Sequence, residues 1–193
     1  MTKVLLTGFE PFGTATSNPS SEIVKQISGD NIVTAILPVA YAGSAERLLA
    51  LIAEHNPDVV ICLGQAEGRT QITPEKVAIN LDDARLPDNA AVQRSDVKIL
   101  DDGPDAYFTS LPIKEMVDAA KAAGVPASVS LSAGAFLCNH VFYIAQNKFA
   151  GTKVRSGFIH VPLMDSQALE FPGLPTMPLD QMIKAVRAML EVL

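Results

Sequence analysis

Short apolar runs that stop at glycine or a turn alternate along this chain with stretches whose apolar residues recur at helical spacing. Lys3–Gly8 (KVLLTG), Ile32–Val39 (IVTAILPV), Asp58–Gly64 (DVVICLG), Ala127–Ser132 and Gly157–Leu163 (GFIHVPL) read as strands, with Pro74–Ile79 as a further one. Ser17–Ile27 reads as a helix with Ile23, Val24 and Ile27 on one face, Ser20 or Ser21 as its cap and Glu22 in the first turn. Ser44–Glu54 (SAERLLALIAE) is a helix limited by Pro57, and Pro112–Ala123 one stopped by Gly124 with Pro126 beyond. Asn139–Phe149 and Leu179–Leu193 complete the helices. Between Asn80 and Ser110 the chain is polar, rich in Asp, Pro and Gly, and weakly periodic, which points to an active-site rim or a subunit contact.

The alternation of strand and helix predicts an α/β fold, a three-layer α/β/α sandwich around a largely parallel, mixed sheet. Length agrees with one domain spanning residues 1–193, and no repeat, low-complexity tract or linker divides the chain. Ligands of such folds bind beyond the carboxyl ends of the strands. The segments to examine are therefore 8–13, 64–70, 133–140 and 160–165.

Composition narrows the function classes. Hydrophobic residues make up 48% of the chain and charged residues 19%, too apolar for a disordered protein, yet no run is long enough for a membrane span. Fifteen basic residues are scattered among 21 acidic ones, for a net charge of −6, which argues against nucleic acid or an anionic membrane as partner. The first apolar run, VLL, is too short for a signal-peptide core, and two cysteines make no disulfide framework. A cytoplasmic protein with free thiols is expected.

GFEPFG (8–13) joins a strand to a helix, but neither GxGxxG nor GxxxxGK[ST] is present, so a phosphate loop is not indicated. Phe9 and Phe12 read either as an apolar wall for a small ligand or as core, and core is the commoner fate of Phe. Cys62 lies among Val, Ile and Leu and reads as inert packing. Cys138 instead stands before a helix, where free N–H groups lower a thiol from ~8.5 toward neutrality and stabilise an oxyanion, or it is a buried structural cysteine, and without a partner His the two readings are even. Of the three histidines, His55 sits at a polar helix end and His140, two residues from Cys138 on the same helix, reads as structural. His160, at a strand end, is the best base for Cys138. Glu75 and Asp165 compete as the carboxylate that would orient it, and spacing does not decide between them. CxxC, HExxH and GxSxG are all absent, so neither zinc nor a serine nucleophile is indicated.

VLLTGFEPFG with NPS at 18–20, GQAEGRTQITPEKVAINLDDARLPDN at 64–89, DGPDAYFTSLPIK at 102–114, SLSAGAFLCNHVFY at 130–143 and SGFIHVPL at 156–163 together resemble the type I pyroglutamyl peptidases, cysteine peptidases also called pyrrolidone-carboxylate peptidases. The resemblance implies Cys138 as nucleophile, His160 as general base and acid, Glu75 rather than Asp165 as the orienting carboxylate, and Arg85 near the oxyanion. It implies Phe9 and Phe12 against the pyroglutamyl ring, Asn18 and Gln65 as polar contacts, and Phe136 and Leu137 beside the nucleophile. It further implies no metal or other cofactor, N-terminally pyroglutamylated peptides as substrates, and a homo-oligomer, tetramer or dimer. Glu67, Ala135, Ile144 and Met164 depart from the family pattern without removing a catalytic group. The alternative is a non-catalytic ligand-binding α/β protein with both thiols inert.

Overall fold

In the computed structural model, which describes residues 2–193, five strands form the central sheet: β1 (Val4–Phe9), β2 (Ile32–Leu37), β3 (Val59–Gln65), β4 (Thr73–Pro74) and β7 (Arg155–Val161). Their order is β2-β1-β3-β7-β4, parallel throughout except for the antiparallel edge pair of β4 with β7. The side chains of β1 and β3 are buried along their whole length, as expected of parallel strands covered on both faces.

Two apolar clusters cover the two faces. On one, α1 (Pro19–Gln26), α3 (Ile113–Ala122) and α5 (Leu179–Leu190) bring Ile23, Met116 and Met182 against Leu6, Ile61 and Ile159. On the other, α2 (Tyr41–His55) and α4 (Leu137–Phe149) bring Leu48, Leu51 and Phe142 against Leu5, Val60 and Phe158. This is the expected sandwich. Among the described residues no helix is long and apolar enough to cross a membrane.

Several expectations shift in detail. Asn18, not Ser20 or Ser21, caps α1: its side-chain oxygen accepts the N–H and the hydroxyl of Ser20 at 3.0 and 2.8 Å. The Ser20 hydroxyl in turn receives the Phe9 N–H at 2.9 Å, and a side chain on Gly8 would fall 2.4 Å from the Ser20 carbonyl oxygen. This close approach ties the end of β1 to the start of α1. Residues 127–132 form no continuous strand, only single bridges from Ala127 to Ile72 and from Ser130 to Glu75. The intervening Pro74 has no N–H to give to a ladder. Pro74–Ile79 divides into β4 and β5 (Val77–Ile79), and β5 pairs with β6 (Ala106–Phe108) inside the segment read as loop. A small parallel pair, β8 (Leu163–Met164) with β9 (Thr176–Met177), follows β7. Helix α4 starts at Leu137 instead of Asn139, so Cys138 lies within its first turn.

Candidate active site

The sulfur of Cys138 rests over strand β3. A Cβ built on Gly64 would stand 2.8 Å from it, and the partner of Gly64 on the neighbouring strand is His160. Residues in register on adjacent strands project to the same face, so the thiol and the imidazole are neighbours, and both line one cavity of about 400 Å³. Phe136 is the N-cap of α4, no side chain caps that helix, and its first N–H groups have no partner within the helix.

On its inner edge His160 brings Nδ1 to 2.7 Å from Oε1 of Glu75, a carboxylate with no solvent exposure. That contact places the ring proton on Nδ1 and leaves Nε2 as the basic nitrogen. The backbone of Glu75 is held in turn, its N–H donating to the Phe158 carbonyl at 2.9 Å. Asp165, the competing carboxylate, is exposed in a single turn of 3-10 helix (Asp165–Gln167) and makes no hydrogen bond or ion pair with His160.

A third charged group was not singled out from the sequence. Nη1 of Arg69 stands 2.8 Å from Glu75 Oε1, and the same guanidinium donates to Thr73 Oγ1 and, at 3.1 Å, to the Ser132 carbonyl. Its signal lay in GQAEGR, where an Arg follows a strand-end loop, but only the tertiary fold carries it to a residue on another segment.

Electrostatics depart from expectation. Burial pushes the Cys138 thiol up to about 12, with the Glu75 carboxylate adding to the rise and Arg69 opposing it. The helix terminus alone was expected to lower it. Loss of hydration overrides that effect because a thiolate in this setting gives up more solvation than the first-turn N–H groups return. His160 is lowered, chiefly by burial, against the raising influence of Glu75. Both shifts favour the uncharged forms, a thiol and an imidazole. Cys62 is fully buried and also raised by burial to about 12, in keeping with inert packing.

The remaining expected residues surround the same cavity. Phe9 is almost fully buried and also contributes to its wall; Phe12 is partly buried, 6.3 Å from the ring of Phe136. Leu137 and Gln65 line it as well. Asn18 reaches it with a side chain already committed to capping α1 and to the Glu10 carbonyl at 3.1 Å. Arg85 lies on the wall, exposed, with Glu67 and Asp83 as exposed carboxylates nearby on the lining. His140 is buried against Asp82, as a structural reading requires, and His55 ends α2.

A sequence profile of the pyroglutamyl peptidase family matches residues 2–193. A pyrrolidone-carboxylate peptidase of Enterobacter sp. (strain 638) is 50% identical over 198 residues, covering 100% of this chain and 91% of its own. That of Aliivibrio fischeri (strain MJ11) is 47% identical over 191 residues, covering 96% and 90%. Among solved structures, pyroglutamyl peptidase I of Bacillus amyloliquefaciens superposes with a TM-score of 0.94 at 44% identity, covering 98% of this chain and 95% of that one. A mutant pyrrolidone carboxyl peptidase of Pyrococcus furiosus gives 0.91 at 37%, covering 98% and 97%. Sequence and fold agree over nearly all of the described residues, and the chain belongs to the pyroglutamyl peptidase family.

Proposed function

We propose that the protein is a cysteine exopeptidase that hydrolyses the amide bond after an N-terminal pyroglutamyl residue, with Cys138 as nucleophile, His160 as general base and acid, and Glu75 as the group that orients His160. The observation that carries this reading is the gathering of Cys138 and a Glu75-bound His160 on one cavity whose walls include Phe9, Phe12 and Phe136.

As the sulfur attacks the pyroglutamyl carbonyl, the thiol proton passes to Nε2 of His160 and an S–C bond forms. Arg85 and the free N–H groups of the first turn of α4 face the oxyanion. Cleavage of the C–N bond takes the proton from His160 to the departing amine and leaves a thioester. Water then attacks, His160 accepting its proton and returning it to the sulfur as the S–C bond breaks. Because thiol and imidazole start neutral, charge separation arises only during attack, where Glu75 stabilises the imidazolium.

The lactam supports the same reading from the substrate side. A pyroglutamyl terminus has no ammonium, so it enters an aromatic wall without the cost of burying an unpaired charge, several kcal/mol for an ordinary N-terminus. Glu67 and Asp83 are exposed, consistent with the outer rim, beyond the aromatic wall. We take the protein to act in the cytoplasm as one domain per chain in a homo-oligomer, tetramer or dimer.

Turnover of a pyroglutamyl anilide under reducing conditions by the wild type and by Cys138→Ala tests the assignment. Release of anilide by the wild type and none by the variant is expected. A silent wild type, or a variant that keeps its rate, refutes it.

A further inference from the structure

The two side chains that follow Cys138 fasten a distant segment onto α4. Asn139, wholly buried, accepts the Ile79 N–H at 2.9 Å and donates to the carbonyls of Ile79 and Leu81 at 2.9 and 3.0 Å. His140 brings Nδ1 to 2.9 and 3.2 Å from the two oxygens of Asp82. This carboxylate, with no solvent exposure, also takes Nη1 of Arg94 at 2.7 Å. The Arg94 guanidinium lies 4.5 Å from the centre of the Tyr41 ring, which meets the rings of His140 and Phe136 edge-on at 5.4 and 5.8 Å. The peptidase steps above use none of these groups, although a buried carboxylate shared between an imidazole and a guanidinium repeats the pattern of Glu75 with His160 and Arg69.

What the cluster holds is the stretch from Asp82 to Asp88. The Asp83 N–H donates to the Ala135 carbonyl at 2.8 Å and the Ala84 N–H to the Arg94 carbonyl at 2.9 Å. At the far end, the Asp88 carboxylate receives the Tyr41 N–H at 2.9 Å. Arg85 lies between these anchors, on the cavity wall, and belongs to none of the ion pairs among the described residues. Among the described residues its side chain makes no hydrogen bond or ion pair, so the anchors on either side set where its backbone lies.

We propose that Asp82, His140 and Arg94 are positioning residues for the reaction, holding the Arg85 segment in register with the first turn of α4 so that the guanidinium meets the oxyanion formed at Cys138. The inference rests on the reading of Arg85 given above. Directional, charge-assisted hydrogen bonds suit the task because they fix angle as well as distance, whereas an apolar contact permits sliding. A displacement of about 1 Å in such a group costs about 10²-fold in rate.

The test is a double-mutant cycle on a pyroglutamyl anilide with Arg94→Met, Arg85→Ala and the pair combined, beside Asp82→Asn. Arg85→Ala is expected to lower kcat ~10²-fold, the scale of one lost oxyanion donor. Arg94→Met is expected to lower kcat about tenfold with KM close to wild type, a partial misplacement of the same donor. The combined variant should be no slower than Arg85→Ala alone, because a clamp that acts through Arg85 has nothing left to position. Alkylation of Cys138 by iodoacetamide, which forms no oxyanion, should keep its wild-type rate in Arg94→Met, and Arg94→Lys should recover part of kcat. Multiplying losses in the combined variant overturn the inference, as does wild-type kcat in Arg85→Ala or alkylation slowed in step with kcat. The Arg94 side chain is 31% exposed and Arg94→Lys keeps a cation beside Asp82, so the Arg94 variants, with a thermal melt beside the kinetics, decide even where Asp82→Asn does not fold. A wild type that releases no anilide overturns the peptidase reading and this inference together; an active wild type with multiplying losses overturns this inference alone.

Discussion

Gly64 and Cys138 are in contact through the absence of a side chain: a Cβ at position 64 would stand 2.8 Å from the Cys138 sulfur, and 2.6 Å from Cζ of Phe158. Both neighbours are held in place, the sulfur by the first turn of α4 and the ring by packing on Phe142 and His160. Gly64→Ala should therefore push the nucleophile away from His160 and overpack the sheet face at a cost of about 1–3 kcal/mol. We expect a loss of kcat/KM of at least ~10²-fold together with a lower Tm, since misplacing a reacting atom by about 1 Å has that effect on rate. Wild-type kinetics in the folded variant would show that the sulfur does not react from this position.

Glu75→Gln should abolish most activity while keeping the fold. The amide no longer offsets the charge of an imidazolium, and Arg69 loses its anionic partner at 2.8 Å. By the cost of replacing an orienting carboxylate with its amide in a nucleophile–His–carboxylate set, kcat should fall about 10²–10⁴-fold with little change in KM. Steady-state kinetics beside a thermal melt separate this loss from unfolding. A kcat near wild type would remove Glu75 from the reaction.

These two residues illustrate what the sequence discloses. Glu75 stood among apolar neighbours and His160 closed an apolar strand, and both features are visible in one dimension. Their pairing is not, because it crosses 85 positions and depends on β4 lying antiparallel against β7. The resemblance to a family selected Glu75 over Asp165, where spacing alone did not. Arg69 and the Asp82–His140–Arg94 cluster escaped notice for the same reason: each is defined by partners on other segments. The upward shift of the thiol was not legible, because helix-end N–H groups can be read in sequence while desolvation around the sulfur and the nearby Glu75 carboxylate cannot. The helices and the central strands β1, β2, β3 and β7 were placed well. The strand read at 127–132 is only two single bridges and β6 lies in a segment read as loop, because such short pairings depend on partners far along the chain. Helix starts moved by a few residues, as at Asn18 and Phe136.

Activity should have a broad pH plateau. His160 must be neutral to accept the thiol proton, and burial holds its pKa below the ordinary 6.5, so kcat/KM should decline only on the acid side of that value. The Cys138 thiol, raised to about 12, should add no ionisation near neutrality. Because the S–H proton moves during attack, a normal solvent deuterium isotope effect is expected on acylation. A thiolate–imidazolium pair formed in advance would give none, with a bell whose acid limb reports the thiol.

Stability should respond to the same groups in opposite directions. With the folded pKa of His160 depressed, the unfolded chain binds more protons just below 6.5, and stability falls as pH drops through the window beneath that value. For Cys62 and Cys138 the folded values are raised from 9.0 to about 12, so the native state keeps protons that the unfolded chain releases, and stability falls as pH rises above 9.0. Tm measured across pH should therefore drop at both ends. His160→Gln should flatten the acid limb, and an unchanged acid limb in that variant would contradict the assignment to His160.

Gln167 should control the pocket without touching substrate. Its Oε1 accepts the Met164 N–H at 2.9 Å, which forces Nε2 to the opposite side, where it donates to the Ser17 carbonyl at 3.2 Å and to Oε1 of Gln65 at 3.0 Å. Gln65 must then present its NH2 group elsewhere, and that nitrogen is buried with no partner in the chain. An unpaired buried donor costs about 1–3 kcal/mol, which a lactam carbonyl entering the pocket would offset. Gln167→Glu keeps the shape and the acceptor for Met164 but removes the donor to Gln65. The Gln65 amide should turn over and offer its oxygen where a donor is needed. KM for pyroglutamyl anilide should rise about tenfold, the equivalent of about 1.4 kcal/mol, with a smaller effect on kcat. A lower Tm is expected as well, since the new carboxylate faces the Ser17 carbonyl. If the folded variant binds substrate as the wild type does, the Gln65 amide is not the donor to the ring.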